Sequence, residues 1–304
     1  MLSRERLVGF CRDIRGLLHG AEGQERALEA LGKVLTAQVQ AKSNISSLHD
    51  VEFRIYSQWG DDGIIQWLIH KIPGLPKRFI EFGVDNYLES NTRFLMVNNN
   101  WSGFVMDGSA EKIKWLKRRK WFWRYNLTAK NAFLTVDNVD ALVRDWSQGS
   151  DVGLLHIDVD GNDYWLWKAI TSIVPPIVIV EYNALFGPDR PITIPYDPEF
   201  FRYKAHHSGQ YAGASLQALT HLAMEKSYCL IGTNSAGNNA YFVHSDWLKA
   251  DIEIKSCADA FAEQCFRDDR DCSGGLVYLS NEERIKQIRG LPVFNVRTGG
   301  LEPL

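Results

Sequence analysis

Arg78-Phe79-Ile80-Glu81-Phe82-Gly83-Val84 is the stretch that decides the fold, because a short apolar run here carries one acid and ends on a glycine. A polar turn follows at 85–91, a helical pattern begins at Thr92, and a second apolar strand at 102–107 ends on Asp107. This order of strand, turn, helix and strand is typical of the first half of a doubly wound α/β fold. In such folds ligands bind beyond the carboxyl ends of the parallel strands.

The turn after the first strand limits the class of ligand. Dinucleotide sites usually have two or three glycines here, and a phosphate-binding loop needs Gly-Lys-Ser or Gly-Lys-Thr, but this turn has only Gly83. The fold places Glu81 and Asp107 on neighbouring strand ends, which suits a ligand with an ammonium group, a ribose and no phosphate. S-adenosylmethionine is such a ligand. The alternative is that Glu81 only caps the turn and Asp107 only starts the next helix.

Composition describes an ordinary globular chain. It has 304 residues, 45% of them hydrophobic and 23% charged, with a net charge of −3, which gives no reason to expect nucleic acid as the main partner. Five cysteines without a Cys-x-x-Cys pair favour reduced thiols in a cytoplasmic protein. No apolar run approaches membrane-spanning length, so no membrane span is expected.

Periodicity predicts two N-terminal helices and a C-terminal tail around a central domain. Residues 3–19 form an amphipathic pattern, and Leu28, Leu31 and Leu35 form a thinner stripe on a second helix that fades near Ser43. Docking on the main domain is the simpler role for these helices, and a homo-oligomer contact is the other. The predicted organisation is a helical extension at 1–50, the main domain at 51–250 and a helical tail at 251–304 packed on that domain.

A run of basic and aromatic residues follows the second strand. Ser109 is suited to cap a helix that continues to about Lys120, its exposed face is rich in lysine and arginine, and aromatic residues follow at 121–123. Such a pattern binds anionic glycans or nucleic acid in some proteins. The negative net charge gives no reason to expect an acidic membrane as the main partner either. With this net charge, a solvated helix face followed by core aromatics is the expectation here.

Acidic residues cluster after the fourth and fifth predicted strands. Asp158 and Asp160 follow the strand that begins at Leu154, and the strand at 177–183 has Glu181 and Asn183 at its end. Adjacent carboxylates need protonation, hydrogen bonds or a cation, and oxygen ligands suit Mg²⁺ or Mn²⁺. Either these residues bind a divalent cation, or the two aspartates only cap the turn and the next helix.

A long loop at 184–213 carries four prolines and many aromatic residues, which is typical of a lid or binding loop. Aromatic faces with polar tips suit a carbohydrate or another hydroxyl-rich acceptor. His206 and His207 lie in this loop, so either one is a candidate general base beside the acidic residues, with Asp158 as the third catalytic candidate.

These motifs together resemble the FkbM-type branch of the class I S-adenosylmethionine-dependent methyltransferases. The matching pieces span roughly residues 55–245 and are Ser57-Gln58-Trp59-Gly60-Asp61-Asp62-Gly63, Phe79-Ile80-Glu81-Phe82-Gly83, Ser90-Asn91-Thr92, His156-Ile157-Asp158-Val159-Asp160-Gly161-Asn162-Asp163 and Ile179-Val180-Glu181.

The resemblance implies a mostly parallel, seven-stranded Rossmann-like sheet with S-adenosylmethionine bound at its edge. It implies that Glu81 and Gly83 hold the methionyl end, Asp107 the ribose and Asn131 the adenine edge. The remaining predicted cofactor contacts are Asn91, Gly108, Ser109 and Asp158. Gln58 and Asp61 are weaker candidates that precede the first strand. The turn after Gly83 departs from the usual methyltransferase loop, because it lacks the second and third glycines.

The function expected from the sequence is O-methylation of a sugar, glycan or glycosylated metabolite. Members of this branch are associated with that reaction. One alternative is a glycan-binding or scaffold protein that has kept the fold without turnover. The other is an NAD-dependent oxidoreductase, which the missing glycines disfavour.

Overall fold

A seven-stranded sheet forms the centre of the protein, whose computed structural model describes residues 23–266 and 269–304. Its strands are β1 (Arg78–Phe82), β2 (Ser102–Asp107), β3 (Leu127–Asn131), β4 (Leu154–Ile157), β5 (Ile177–Glu181), β7 (Tyr228–Thr233) and β8 (Asn239–His244), with the short β6 (Ile192–Thr193) outside this sheet. The strand order is β3-β2-β1-β4-β5-β8-β7. The first five strands in this order are parallel, and β8 is antiparallel to both of its neighbours.

Helices cover both faces of this sheet. The α-helices of the described residues are α1 (residues 23–40), α2 (Asp61–Lys71), α3 (Arg93–Asn99), α4 (Ala110–Lys117), α5 (Val139–Ser147), α6 (Asp163–Ala169), α7 (Arg202–Ala205), α8 (Leu216–Glu225), α9 (Cys257–Ala260) and α10 (Asn281–Ile288), of which α10 packs against the small sheet described below. Successive strand residues enter opposite cores, since Ile80 and Phe82 belong to one buried cluster and Phe79 to the other. The predicted fold class, a doubly wound sheet of the class I methyltransferase type, is therefore confirmed.

The N-terminal extension packs on the main domain through α1. Gly32 lies against the ring of Phe94, where a Cβ atom would come within 2.6 Å, and Glu25 forms an ion pair of 2.7 Å with Arg93. Leu28 and Leu31 remain exposed. The helix predicted at 3–19 lies outside the described residues, and the homo-oligomer contact stays a prediction.

The C-terminal tail differs from the helical prediction. Besides α9 and α10 it contains two strands, β9 (Pro292–Asn295) and β10 (Gly300–Pro303), which form a small antiparallel sheet with β6. The partner strand comes from the proline-rich loop at 184–213, which short-range periodicity could not connect with the tail. The domain limits themselves stay predictions.

Two further expectations concern the membrane and the thiols. None of the helices within the described residues is long and apolar enough to cross a bilayer. The described cysteines, at 229, 257, 265 and 272, are all free thiols.

Candidate functional site

The candidate site is a cavity of about 740 Å³ at the carboxyl ends of β1, β4 and β5. We call this cavity the cleft. Its volume falls in the range of about 300–1,000 Å³ typical of small-molecule sites. Glu81, Gly83 and Asn91 line it on the β1 side, and Asp158 and Glu181 line it on the β4–β5 side. This is the edge of the sheet where ligands bind in doubly wound folds.

Gly83 brings bare backbone to the wall of the cleft. Its φ of +71° favours glycine, and a Cβ atom here would lie 1.5 Å from the carbonyl oxygen of Asp158. The ends of β1 and β4 therefore approach too closely for any side chain at this position, and the exposed backbone of Gly83 faces the cavity.

Glu81 is only 2% exposed, and protein groups surround its carboxylate. Five groups donate to it or contact it at hydrogen-bond distance: the Ser90 hydroxyl at 2.6 Å, the Asn91 amide at 3.0 Å, the Thr92 amide at 3.3 Å, the Thr92 hydroxyl, and the His156 ring nitrogen at 3.0 Å. A carboxylate offers about four lone-pair positions. The oxygens of Glu81 are thus fully used within the protein, and direct contact with a ligand ammonium group stays a prediction.

His156 is the residue of this site that the sequence reasoning missed. It lies opposite Glu81 in the β1–β4 register, with Nδ1 3.0 Å from Glu81 and Nε2 3.1 Å from Asn91 Nδ2. Burial opposes the charged ring, but the hydrogen bond and charge of Glu81 outweigh it and raise the pKa of His156. Burial likewise opposes ionised Glu81, but His156 and the hydroxyl donors lower the pKa of this carboxyl. The adjacency of β1 and β4 in this fold was the signal that would have identified the pair.

A second group of predicted residues forms a shelf beside the cleft, made of Asp107, Gly108, Ser109 and Asn131. The two oxygens of Asp107 each accept one backbone amide, from Asp85 at 2.8 Å and Ser109 at 2.7 Å, so each keeps acceptor capacity. The Asn131 side chain donates to the Asp107 carbonyl at 2.9 Å and thereby joins the ends of β2 and β3. The described residues that line the cleft include none of these four; Asp85 connects the shelf with it.

Acidic residues do converge on the β4–β5 side, but the set differs from the predicted one. Ligand oxygens of Asp158, Asp163 and Glu181 lie within 4.8 Å of one another, whereas Asp160 is exposed and its carboxylate forms an ion pair of 2.7 Å with Arg202. The φ of +59° at Asp160 marks the turn that separates it from the group. Asp163 also accepts the amides of Val159 at 2.8 Å and Gly161 at 2.9 Å.

This acidic group, Asp158, Asp163 and Glu181, favours bound protons. Burial raises the pKa of all three carboxyls, and neighbouring carboxylates add to the rise: Asp160 acts on Asp158, Asp158 acts on Asp163, and all three aspartates act on Glu181. The Glu181 carboxyl, whose pKa is raised well above its ordinary value, hydrogen-bonds to Asp158 and partly offsets the rise there. A proton shared between two carboxyls, or a divalent cation, would relieve this repulsion. The cation predicted at Asp158, Asp160 and Glu181 stays a prediction. In the structure Asp163, and not Asp160, groups with Asp158 and Glu181.

His206 and His207 lie together but away from the cleft lining. Their rings are 4.2 Å apart, and His206 Nδ1 lies 2.8 Å from the Ser208 hydroxyl. Burial and the neighbouring His207 lower the pKa of His206, which favours a neutral ring. Neither histidine is among the described residues that line the cleft. Asp158, the third catalytic candidate, does line it.

The Ser57–Gly63 motif spans the segment before α2 and its first turn, and its residues have two different roles. Asp61 is fully buried and accepts hydrogen bonds from Asn234, Asn239 and Tyr241, so it joins α2 to the β7–β8 hairpin. Gln58 and Trp59 line the cleft instead. Of the two weaker candidates, Gln58 thus faces the cavity and Asp61 supports its wall.

The C-terminal tail supplies the opposite wall of the cleft. Phe266 lines the cavity and stacks on Trp59, with ring centroids 5.1 Å apart and an interplanar angle of 25°. Its carbonyl accepts a hydrogen bond of 3.0 Å from Arg284, which is paired at 2.7 Å with buried Asp269. No sequence pattern in the tail indicated this contribution.

Comparison with known proteins gives structural neighbours only. No protein-family model matches the chain, and no curated protein matches it. Among solved structures it is similar to the CurJ carbon methyltransferase (12% identity, 73% of this chain and 70% of that chain, TM-score 0.40) and to PKMT2 from Rickettsia typhi in complex with AdoHcy (10%, 60% and 52%, 0.40). It is also similar to an O-methyltransferase from Bacillus cereus in complex with SAH (13%, 71% and 88%, 0.37). The chain thus spans about half the length of PKMT2.

Proposed function

We propose that the protein transfers the methyl group of S-adenosylmethionine to a hydroxyl of a sugar, glycan or glycosylated metabolite. The observation that carries this proposal is the cleft at the carboxyl ends of β1, β4 and β5, whose wall combines the bare backbone of Gly83 with several carboxylates. Carboxylates attract a ligand that carries an ammonium and a sulfonium group, and they repel phosphate. For the same reason a dinucleotide cofactor is disfavoured.

In the proposed pose the donor extends from the cleft onto the shelf. The methionyl end lies in the cavity beside Gly83 and Asn91, and Asp107 accepts from the ribose hydroxyls with the capacity that its backbone bonds leave. The adenine lies along Gly108, Ser109 and Asn131. Glu81 acts on this pose by holding Asn91 at the wall of the cavity.

The acceptor side of the cleft supports a hydroxyl substrate. Because the sulfonium already makes the methyl carbon electrophilic, the protein has to align the acceptor oxygen with it and remove one proton. Asp158 is the proposed base, since it lines the cavity and accepts a hydrogen bond from Glu181. The stacked rings of Trp59 and Phe266 provide an apolar face of the kind that packs against a sugar ring. Membership of the FkbM-type branch is part of this proposal and rests on the sequence motifs that resemble it.

Binding of S-adenosylhomocysteine tests the donor directly. We expect it to raise the melting temperature and to bind in calorimetry, and we expect Asp107→Asn to weaken binding by about tenfold through the ribose contacts. Asp137→Asn is the matched control, because this exposed aspartate lies in the next loop. No shift at millimolar ligand would exclude the proposal.

Transfer is tested separately from binding. Glycan and glycoside acceptors incubated with labelled methyl donor should yield a methylated product, and Asp158→Asn should slow its formation by about 100-fold or more. Donor binding without product across a broad acceptor panel would favour the binding-protein alternative instead.

A further inference from the structure

The basic stretch after β2 forms an exposed surface that the proposed reaction does not use. Trp121 and Phe122 pack against the core as expected, but Trp123 is 78% exposed, so the expectation of a core residue is wrong there. The helix also ends at Lys117, three residues earlier than predicted, and leaves 118–124 outside α4. We define the basic patch as Trp123 together with Lys114, Lys117, Arg118, Arg119, Lys120 and Arg124.

The cations of the basic patch are concentrated and available. All six are exposed, and none comes within 4.0 Å of a carboxylate among the described residues; Lys112, which pairs with Asp85, is excluded from the patch. No acid occurs between residues 112 and 124. The whole chain has 34 basic and 37 acidic residues, so outside the patch 28 bases stand against 37 acids. The patch is therefore a local positive surface on an acidic protein.

Aromatic rings accompany these cations at the surface. Arg119 lies 4.2 Å above the ring of Trp115, and Arg124 lies 5.7 Å from the ring of Trp123. A tryptophan exposed beside several lysines and arginines is typical of proteins that bind the headgroup region of a bilayer, where the ring enters the interface and the cations meet anionic lipids.

We propose that the basic patch binds the anionic surface of a lipid membrane. The patch is one continuous stretch of sequence at the end of α4, and none of its residues lines the cleft, so we commit to a flat anionic surface as its partner and not to a strand bound in a groove. It precedes the amino end of β3, whereas the cleft lies at the carboxyl ends of the strands. A membrane bound at the patch would therefore leave the cleft open to its ligands.

Vesicle binding by the full chain tests this proposal. The protein should sediment with phosphatidylcholine vesicles that contain phosphatidylserine, and not with phosphatidylcholine alone, and binding should weaken as salt is raised. Each basic residue at an anionic surface contributes about fivefold to affinity, so the triple variant Lys117→Gln, Arg118→Gln and Lys120→Gln should bind about 100-fold more weakly.

A matched variant separates the patch from net charge. Lys33, Lys286 and Arg289 are exposed cations elsewhere, and changing all three to glutamine removes the same charge. This control should keep its affinity within about twofold. Trp123→Ala should reduce the blue shift of tryptophan emission on vesicle binding.

The outcomes decide the proposal. Loss of vesicle binding confined to the patch variants supports it, provided that their circular dichroism and melting temperature match the unmodified protein. Absence of binding to anionic vesicles at low salt, or equal loss in the control, would overturn it. Patch-dependent binding of a single-stranded oligonucleotide that is tighter than vesicle binding would also overturn it in favour of a nucleic-acid partner.

Discussion

Replacing Asp158 with asparagine should have little effect on stability, or a slightly destabilising one, in acid and should stabilise the protein at alkaline pH. The residue belongs to the acidic group in which carboxylate oxygens lie within 4.8 Å of one another. At an effective dielectric constant of about 20, two unit charges at this separation repel by about 3 kcal/mol. The asparagine amide would keep a polar contact with Glu181 and remove one of the charges.

The pH window follows from the direction of the shifts. The folded protein raises the pKa of Asp158 to about 6 and that of Asp163 to about 7, from an ordinary value of 3.8. Groups with a raised folded pKa contribute stability that is present below about pH 4 and is lost as pH rises through the folded values. The unmodified protein should therefore lose stability between about pH 4 and pH 7 through this group.

Urea denaturation at pH 4 and pH 8 measures the effect. We expect Asp158→Asn to be neutral or slightly destabilising at pH 4 and to increase the free energy of unfolding by about 1–3 kcal/mol at pH 8. The exposed Asp151→Asn is the control and should show no such dependence. A difference between variant and unmodified protein that is the same at both pH values would refute the repulsion on which the reasoning depends.

Three other outcomes are expected. Gly83→Ala should cost more than about 3 kcal/mol of stability in urea denaturation, because its Cβ atom would meet the Asp158 carbonyl. The control is Gly74→Ala, which has a φ of +83° and open space around it and should cost about 1–2 kcal/mol. Glu81→Gln should destabilise by about 3–5 kcal/mol and move the NMR titration of His156 to lower pH, and an unchanged titration would contradict the ion pair. Millimolar Mg²⁺ or Mn²⁺ should raise the melting temperature at pH 8 in the unmodified protein and not in Asp158→Asn. If a chelator changes neither activity nor stability, the predicted cation site is excluded.

The sheet could be predicted because its signals are local. Most of the seven central strands are short, largely apolar runs between turn residues, and the β-branched residues of a run such as 177–181 favour a strand over a helix. The exception is β3 (Leu127–Asn131), which contains polar residues and alternates between buried and exposed positions. The tail strands could not be predicted, since Pro292–Asn295 and Gly300–Pro303 are short, half-exposed and completed by β6, which lies about 100 residues earlier. Their pairing is a tertiary effect that four residues of sequence do not contain.

The candidate site was predictable only as far as strand ends determine it. Asp158 and Glu181 meet because β4 and β5 are neighbours, which the fold class implies. Asp163 takes the place in the acidic group that was predicted for Asp160, because the positive φ at Asp160 and its ion pair with Arg202 turn it away. Neither feature can be predicted from the spacing of the residues.

The buried pair of Glu81 and His156 explains why an acid stands in a strand that is otherwise apolar. An ionised carboxylate at 2% exposure is unstable without compensation, and here a ring from β4 and two hydroxyl side chains provide it. The same contacts hold residues 90–92 against the end of β1, so Asn91 reaches the cleft in a fixed position. Glu81 would then govern the proposed donor pose by positioning the wall. A conservative change at Glu81 should consequently alter donor affinity and stability together, whereas a residue that only touched the ligand would alter affinity alone.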